Sequence, residues 1–161
     1  MDWKRLMFLW TIGAVVFLTD QLTKQLIISR IPLHMKIEII PGFFNIVHVR
    51  NTGVAFSLFA NLPGAPLILS VAGFIAIAIL TIIVVRLKQL SLPDSLSFGL
   101  ILGGAIGNLI DRIRFGSVVD FLDFYIGNYH WPAFNVADSA ITCGAILIAV
   151  KLLFDHKKGT S

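Results

Sequence analysis

The stretch "HWPAFNVADSAITCGAILIAVKLLF", His130–Phe154, decides the fold. From Ala133 onward it is apolar and long enough to cross a bilayer, yet Asp138 stands near its start. A charged side chain at the centre of a membrane helix is unfavourable by roughly 2.5–3.5 kcal/mol on insertion scales. Such a residue needs partners or a task.

The rest of the chain wants the same solvent. Of its 161 residues 57% are hydrophobic and 14% charged, with a mean hydropathy of +0.86. A soluble domain carries about 25% charged residues. Besides 133–154, three segments read as spans: about 6–28, 67–85 and 95–112. The first is apolar through Leu18 and then interrupted by Asp20 and Lys24; it is too long for a removable leader. The second has no charge, and the third is glycine-rich. The expected fold is a single domain with an all-α core, a four-transmembrane-helix bundle. An even number of spans puts both termini on one side. Lys4–Arg5, the Arg86/Lys88 pair in a short loop and Lys157–Lys158 mark that side as cytoplasmic. Arg30, Lys36, Arg50, Arg112 and Arg114 then fall outside, where the acidic residues also gather.

The net charge of +4 and pI near 9.5 do not indicate a nucleic-acid partner, because the basic residues are scattered in ones and twos and form no stripe. Cys143 is the sole cysteine, which excludes an intrachain disulfide, and it reads as a small buried hydrophobe. Between the first two spans, about 35–60, β-branched and aromatic residues flank Pro41–Gly42, with a second turn at Asn51-Thr52-Gly53. This reads as a pair of short strands in a β-rich cap on the outer membrane face. Gly99, Gly103 and Gly107 share one helical face, a stripe that lets helices approach closely. "LPGAP" and "LPD" read as loop punctuation.

Several polar residues remain. Asp20 and Lys24 share a helix face in the favourable order, either as an ion pair or with Asp20 turned to a central site. Asn108, Asp111 and Arg112 form one polar face at the end of the third span. Arg112 could snorkel, or orient a carbonyl oxygen with its fork of donors; Asp111 is expected to pair with Arg112 or Arg114. Asp120 and Asp123 lie on the amphipathic stretch "GSVVDFLDFY", and Asn135 and Asp138 are three apart at the top of the fourth span, where Asp138 could also cap the helix. In the four-span topology Asp20, Asn51, Asn108, Arg112, Asp120, Asn135 and Asp138 all fall at the outer level. Ionisable residues in a membrane normally face the bundle interior and mark a functional site.

Their chemistry is narrow. His34, His48 and His130 are isolated, at no metal-ligand spacing, so no metal or other cofactor is expected. Only Ser139, beside Asp138, keeps a claim as a nucleophile. What remains is carboxylates with asparagine and arginine. Two carboxyls held close share one proton. One then acts as a base towards water while the other, protonated, polarises a carbonyl, which is amide hydrolysis of the aspartic type.

The motifs "DQLTK" (Asp20–Lys24), "RNTGVAFS" (Arg50–Ser57), "GGAIGNLIDR" (Gly103–Arg112), "VVDFLDF" (Val118–Phe124) and "FNVADSAI" (Phe134–Ile141) resemble, in order, those of the lipoprotein signal peptidases, signal peptidase II. The resemblance covers most of the chain. It implies an aspartic peptidase of the bacterial cytoplasmic membrane with four helices, a periplasmic β-cradle and a short extramembrane helix. Its partners would be membrane lipid and diacylglyceryl-modified prolipoproteins, cut on the amino side of the modified cysteine, and it would be inhibited by globomycin. By motif position it implies Asp120 and Asp138 as the catalytic pair. Asp20, Asn51, Asn108, Arg112 and Asn135 would support the pair and position substrate, with no metal. Spacing by itself does not favour Asp120 over Asp123. A monomer is sufficient for this chemistry. The competing readings are a proton-coupled transporter, in which the same carboxylates relay protons, and a structural membrane subunit.

Overall fold

Helix α3 (Leu92–Phe115) is the element around which the others assemble, packing against α1 (Trp3–Arg30), α2 (Ala65–Arg86) and α4 (Val136–Gly159). The computed structural model describes residues 2–53, 64–87 and 89–159. All four helices are long and apolar enough to cross a membrane. Their bounds differ from the hydropathy estimates for local reasons. Proline occupies the first turn of both α2 and α3, where its missing N–H is not needed, so Ala65-Pro66 of "LPGAP" and the whole of "LPD" begin helices, while Leu62 and Pro63 lie outside the described residues. Ser91 and Asp94 form a reciprocal capping box at the start of α3, and Gly116, at φ 67°, ends it in the left-handed conformation. Helix α4 starts at Val136 because Asn135 caps it: its Oδ1 accepts from the Asp138 N–H at 2.9 Å, and Asp138 Oδ2 accepts from the Asn135 N–H at 3.2 Å. Asp138 is therefore the third residue of the first turn and not the cap.

Glycines on two faces of α3 bring the helices together. A Cβ on Gly103 would lie 2.5 Å from the Gly13 carbonyl oxygen of α1, and one on Gly104 would lie 2.5 Å from the Ala137 carbonyl oxygen of α4. Helix α2 buries only Ala65 and Val84, the pattern of a helix surrounded by lipid.

A four-stranded antiparallel sheet stands at one end of the bundle, in the order β1 (Lys36–Ile40), β2 (Phe44–Asn51), β3 (Val118–Ile126), β4 (Tyr129–His130). The hairpin about Pro41–Gly42 is the expected strand pair, with Gly42 at φ 78°. The expected β-rich region continues to residue 60, and its part from 54 onward, like Lys88, lies outside the described residues. The stretch "VVDFLDFYI" is a strand in the middle of the sheet, paired with β2 from Phe44↔Phe124 to Asn51↔Val118. It was not legible as one because both of its faces are buried over its first four residues, which removes the alternation that marks a strand. Among the described residues there is no short extramembrane helix.

Two apolar clusters brace the bundle. Leu9, Val84, Leu90 and Leu102 close α1, α2 and α3 together at one end. Ile27, Ile31, Val119 and Phe121 lock the sheet to the last turns of α1 at the other. The polar residues lie beside this second cluster.

Candidate active site

Lys24 is a buried charge at the base of the cluster, 2% exposed. Its Nζ stands 2.8 Å from Asp20 Oδ2, one turn earlier on α1, and 3.0 Å from Asp111 Oδ2 on α3. It also donates to Asn108 Oδ1 at 2.9 Å. Burying an ammonium is tolerable only with this degree of pairing. The expected Asp20–Lys24 ion pair is therefore present. Asp20 also reaches the central cluster, because its Oδ1 accepts from the Ala137 N–H in the first turn of α4 at 3.0 Å. Asp111 does not pair with Arg112 or Arg114. It turns inward to Lys24 and accepts from the Val119 N–H at 3.1 Å, fixing the start of β3 against α3. Gln21 Nε2 joins Asp20, Asp111 and the Gly107 carbonyl.

From this base two asparagines reach outward. Asn108 Nδ2 donates to Asp138 Oδ1 at 2.8 Å, so the amide lies between the Lys24 ammonium and the Asp138 carboxylate. Asn135 Nδ2 donates to Asp120 Oδ1 at 2.7 Å and lies 3.3 Å from Asn108 Oδ1. Asn51, at the end of β2, donates to the other oxygen of Asp120 at 3.1 Å, while its own Oδ1 accepts from the Gly53 N–H. Asp120 and Asp138 come from a strand and a helix and are joined through two amides. Asp123 goes elsewhere: three residues on along a strand is the opposite face. There it accepts from Asn45 at 2.8 Å and pairs with His130 at 2.8 Å.

A cavity of about 600 Å³ opens over this arrangement, with Asn51, Asn108, Arg112, Asp120 and Asp138 in its wall. Asp20 and Asn135 are fully buried behind them and do not line it. Arg112 Nη2 donates to the Gly53 carbonyl at 3.0 Å, and its Nε is buried without a hydrogen-bond partner. Burial raises the Asp120 carboxyl to about 7, and the charge of Asp138 adds to the effect. The amide donors of Asn51 and Asn135 pull it back only partly.

Sequence reasoning missed the apolar side of the cavity. Trp131, Pro132 and Phe134 form one part, and Ile141, Thr142 and Cys143 on α4 another. Cys143 is exposed rather than buried, because it lines the open cavity. Ser139 Oγ donates to the Asn135 carbonyl at 2.9 Å, an ordinary intrahelical bond.

Fold and site together define a multi-pass membrane protein with paired carboxylates at one end of its helix bundle. Residues 12–154 match the family model of signal peptidase (SPase) II. The lipoprotein signal peptidase of Oleidesulfovibrio alaskensis is 47% identical over 155 residues, covering 95% of this chain and 98% of that protein. That of Desulforapulum autotrophicum is 43% identical over 159 residues, 96% of this chain and 97% of that one. A bacterial membrane enzyme solved by the in meso method at 2.3 Å superposes with a TM-score of 0.84 at 34% identity, over 98% of this chain and 92% of its own. A second, at 1.9 Å, gives 0.80 at 34% identity over 95% and 94%. The chain belongs to the signal peptidase II family and is a peptidase.

Proposed function

We propose that the protein is an aspartic endopeptidase that removes the signal peptide from diacylglyceryl-modified bacterial prolipoproteins, cutting on the amino side of the modified cysteine. The observation that carries this reading is the convergence of Asp120 and Asp138 on one cavity, held by shared amides. A carboxyl at about 7 beside a second one holds a single proton between them near neutrality. The ionised member takes a proton from water as the oxygen attacks the scissile carbonyl, and the protonated member donates to the carbonyl oxygen. Collapse of the tetrahedral adduct returns a proton to the leaving nitrogen. Arg112, whose guanidinium lines the cavity, orients the substrate carbonyl. Asp20, Asn51, Asn108 and Asn135 hold the pair in register. Water, two carboxyls and these donors suffice for the reaction, with no metal or cofactor.

The arrangement suits a site at the periplasmic face of the cytoplasmic membrane, with both termini in the cytoplasm and the protein acting as a monomer. The α4 side of the cavity descends into the span, where lipid chains and signal peptide belong. The test is cleavage of a diacylglyceryl-modified prolipoprotein by purified protein in detergent, followed by gel shift with and without globomycin. Asp120→Asn and Asp138→Asn should each lower turnover by about a thousandfold or more while leaving the protein inserted. Near-wild-type turnover in either variant refutes the pair. Absence of cleavage by folded wild type, with proton flux in sealed vesicles, would instead favour a relay.

A further inference from the structure

Trp131 has a second side. One face of it lines the catalytic cavity, and it also lines a groove of about 290 Å³ at the tip of the β3–β4 hairpin. The floor of the groove is firmly built. The Tyr125 ring stacks on His130 with centroids 4.9 Å apart and planes at 8°. His130 is paired with Asp123, which is tied to Asn45 of β2. The Tyr125 hydroxyl donates to Glu38 and accepts from the Gly42 N–H, linking the floor to the β1–β2 hairpin. Phe43, Ile126 and Tyr129 rise around it, 47%, 73% and 87% exposed.

The two spaces meet at Trp131, which is common to both walls, and their positions relative to the spans indicate an occupant. The cavity's other end, at Ile141, Thr142 and Cys143, lies inside a membrane-spanning helix, whereas the Trp131 end lies outside every span. On the function proposed above, on which this step rests, the signal peptide and the lipid of the substrate are both membrane-embedded. Only the chain after the modified cysteine runs into water, and it leaves the cavity past Trp131. Tyrosine, histidine and tryptophan offer flat apolar faces with polar edges, which suit a polypeptide of variable sequence better than an acyl chain. We infer that the groove between Phe43 and Tyr129 binds the extended segment that follows the modified cysteine, and so contributes to substrate affinity away from the reacting bond.

The experiment uses two lipid-modified substrates identical through the cysteine, one with about two residues beyond it and one with about ten, the latter reaching ~33 Å when extended. Wild type should cleave the longer with a kcat/KM about fivefold higher, the difference residing in KM. Tyr129→Ala should bring the longer substrate down to the shorter, and Tyr129→Phe, which keeps the ring, should retain most of the gain. Equal kcat/KM for both substrates in wild type overturns the inference. So does a Tyr129→Ala loss that is the same for both, which would make the hairpin a general anchor in the bilayer interface. Failure of wild type to cleave either overturns the peptidase reading itself, and this one with it.

Discussion

Burial and a neighbouring carboxylate act on Asp120 in the same direction, and that direction has a thermodynamic consequence. Its carboxyl titrates at about 7 in the folded protein against an ordinary 3.8. Between those values the folded state keeps a proton that the unfolded state has released, so stability falls as pH rises across this window and stays low above it. The shift corresponds to about 4 kcal/mol at most, for a side chain 2% exposed. Asp120→Asn removes the titration. Its melting temperature in detergent, relative to wild type, should therefore rise progressively from about pH 4 to pH 8 while activity is lost; a difference flat in pH would contradict the raised carboxyl. The same linkage bounds catalysis. Loss of the shared proton should make activity fall as pH rises through about 7. Because the Asn51 hydrogen bond lowers the Asp120 pKa, Asn51→Ala should move that alkaline limb to higher pH, as read from a kcat/KM profile. Much of this was legible in the sequence, since polar residues in an apolar chain are few and each needs a partner. The choice between Asp120 and Asp123 was not, because it depends on which face of β3 each takes.

Among the elements, the spacing between helices decides whether the carboxylates meet. Asp138 sits in the first turn of α4, and that turn lies against α3 at Gly104, with the Ala137 carbonyl 2.5 Å from where a Cβ would stand. Backbone cannot yield as a flexible side chain can, so Gly104→Ala must push the start of α4 outward. Overpacking of this kind costs about 1–3 kcal/mol. The Asn108–Asp138 bond, at 2.8 Å, can lengthen by only a few tenths of an ångström before it leaves the range of a good hydrogen bond. Gly104→Ala should reduce kcat more than tenfold. Gly73→Ala, whose Cβ would meet only Leu109 Cδ1 at 3.8 Å, should leave kcat near wild type. Equal activity of the two variants would show that the α3–α4 approach does not position the site. The stripe Gly99, Gly103 and Gly107 was readable from its period, and it packs on α1. Gly104 lies off that stripe and faces a different neighbour, so period alone gave no reason to single it out. The same limit hid β3: a strand buried on both faces carries no alternation, and its partner β2 is distant in sequence.

At the scale of the whole molecule, the described side-chain links between α3 and α4 divide between the two ends of the bundle, and the proposed site occupies one of them. At the end that carries the sheet, α3 and α4 are joined by Asn108, Asn135 and Asp138. At the other, Lys151 Nζ lies 2.6 and 2.7 Å from the two oxygens of Asp94, which also closes the capping box of α3. Hydropathy located the spans without this link, because Asp94 reads as part of a loop until Pro93 is recognised as a first-turn residue. The separation along α3 from Asp94 to Asn108 is ~21 Å. A helix packed tightly on both faces does not transmit the loss of an end contact as a sideways displacement at that distance. The pair is partly exposed, with Lys151 at 32% and Asp94 at 16%, so its net contribution is about 1 kcal/mol rather than that of a buried ion pair. Lys151→Met keeps most of the apolar stem and removes the ammonium group. It should lower the melting temperature in detergent by a few degrees while kcat/KM stays within about twofold of wild type. A loss of activity as large as that of Gly104→Ala would mean that the two ends of the bundle are coupled, and that the site depends on the tilt of α4 as a whole rather than on its first turn.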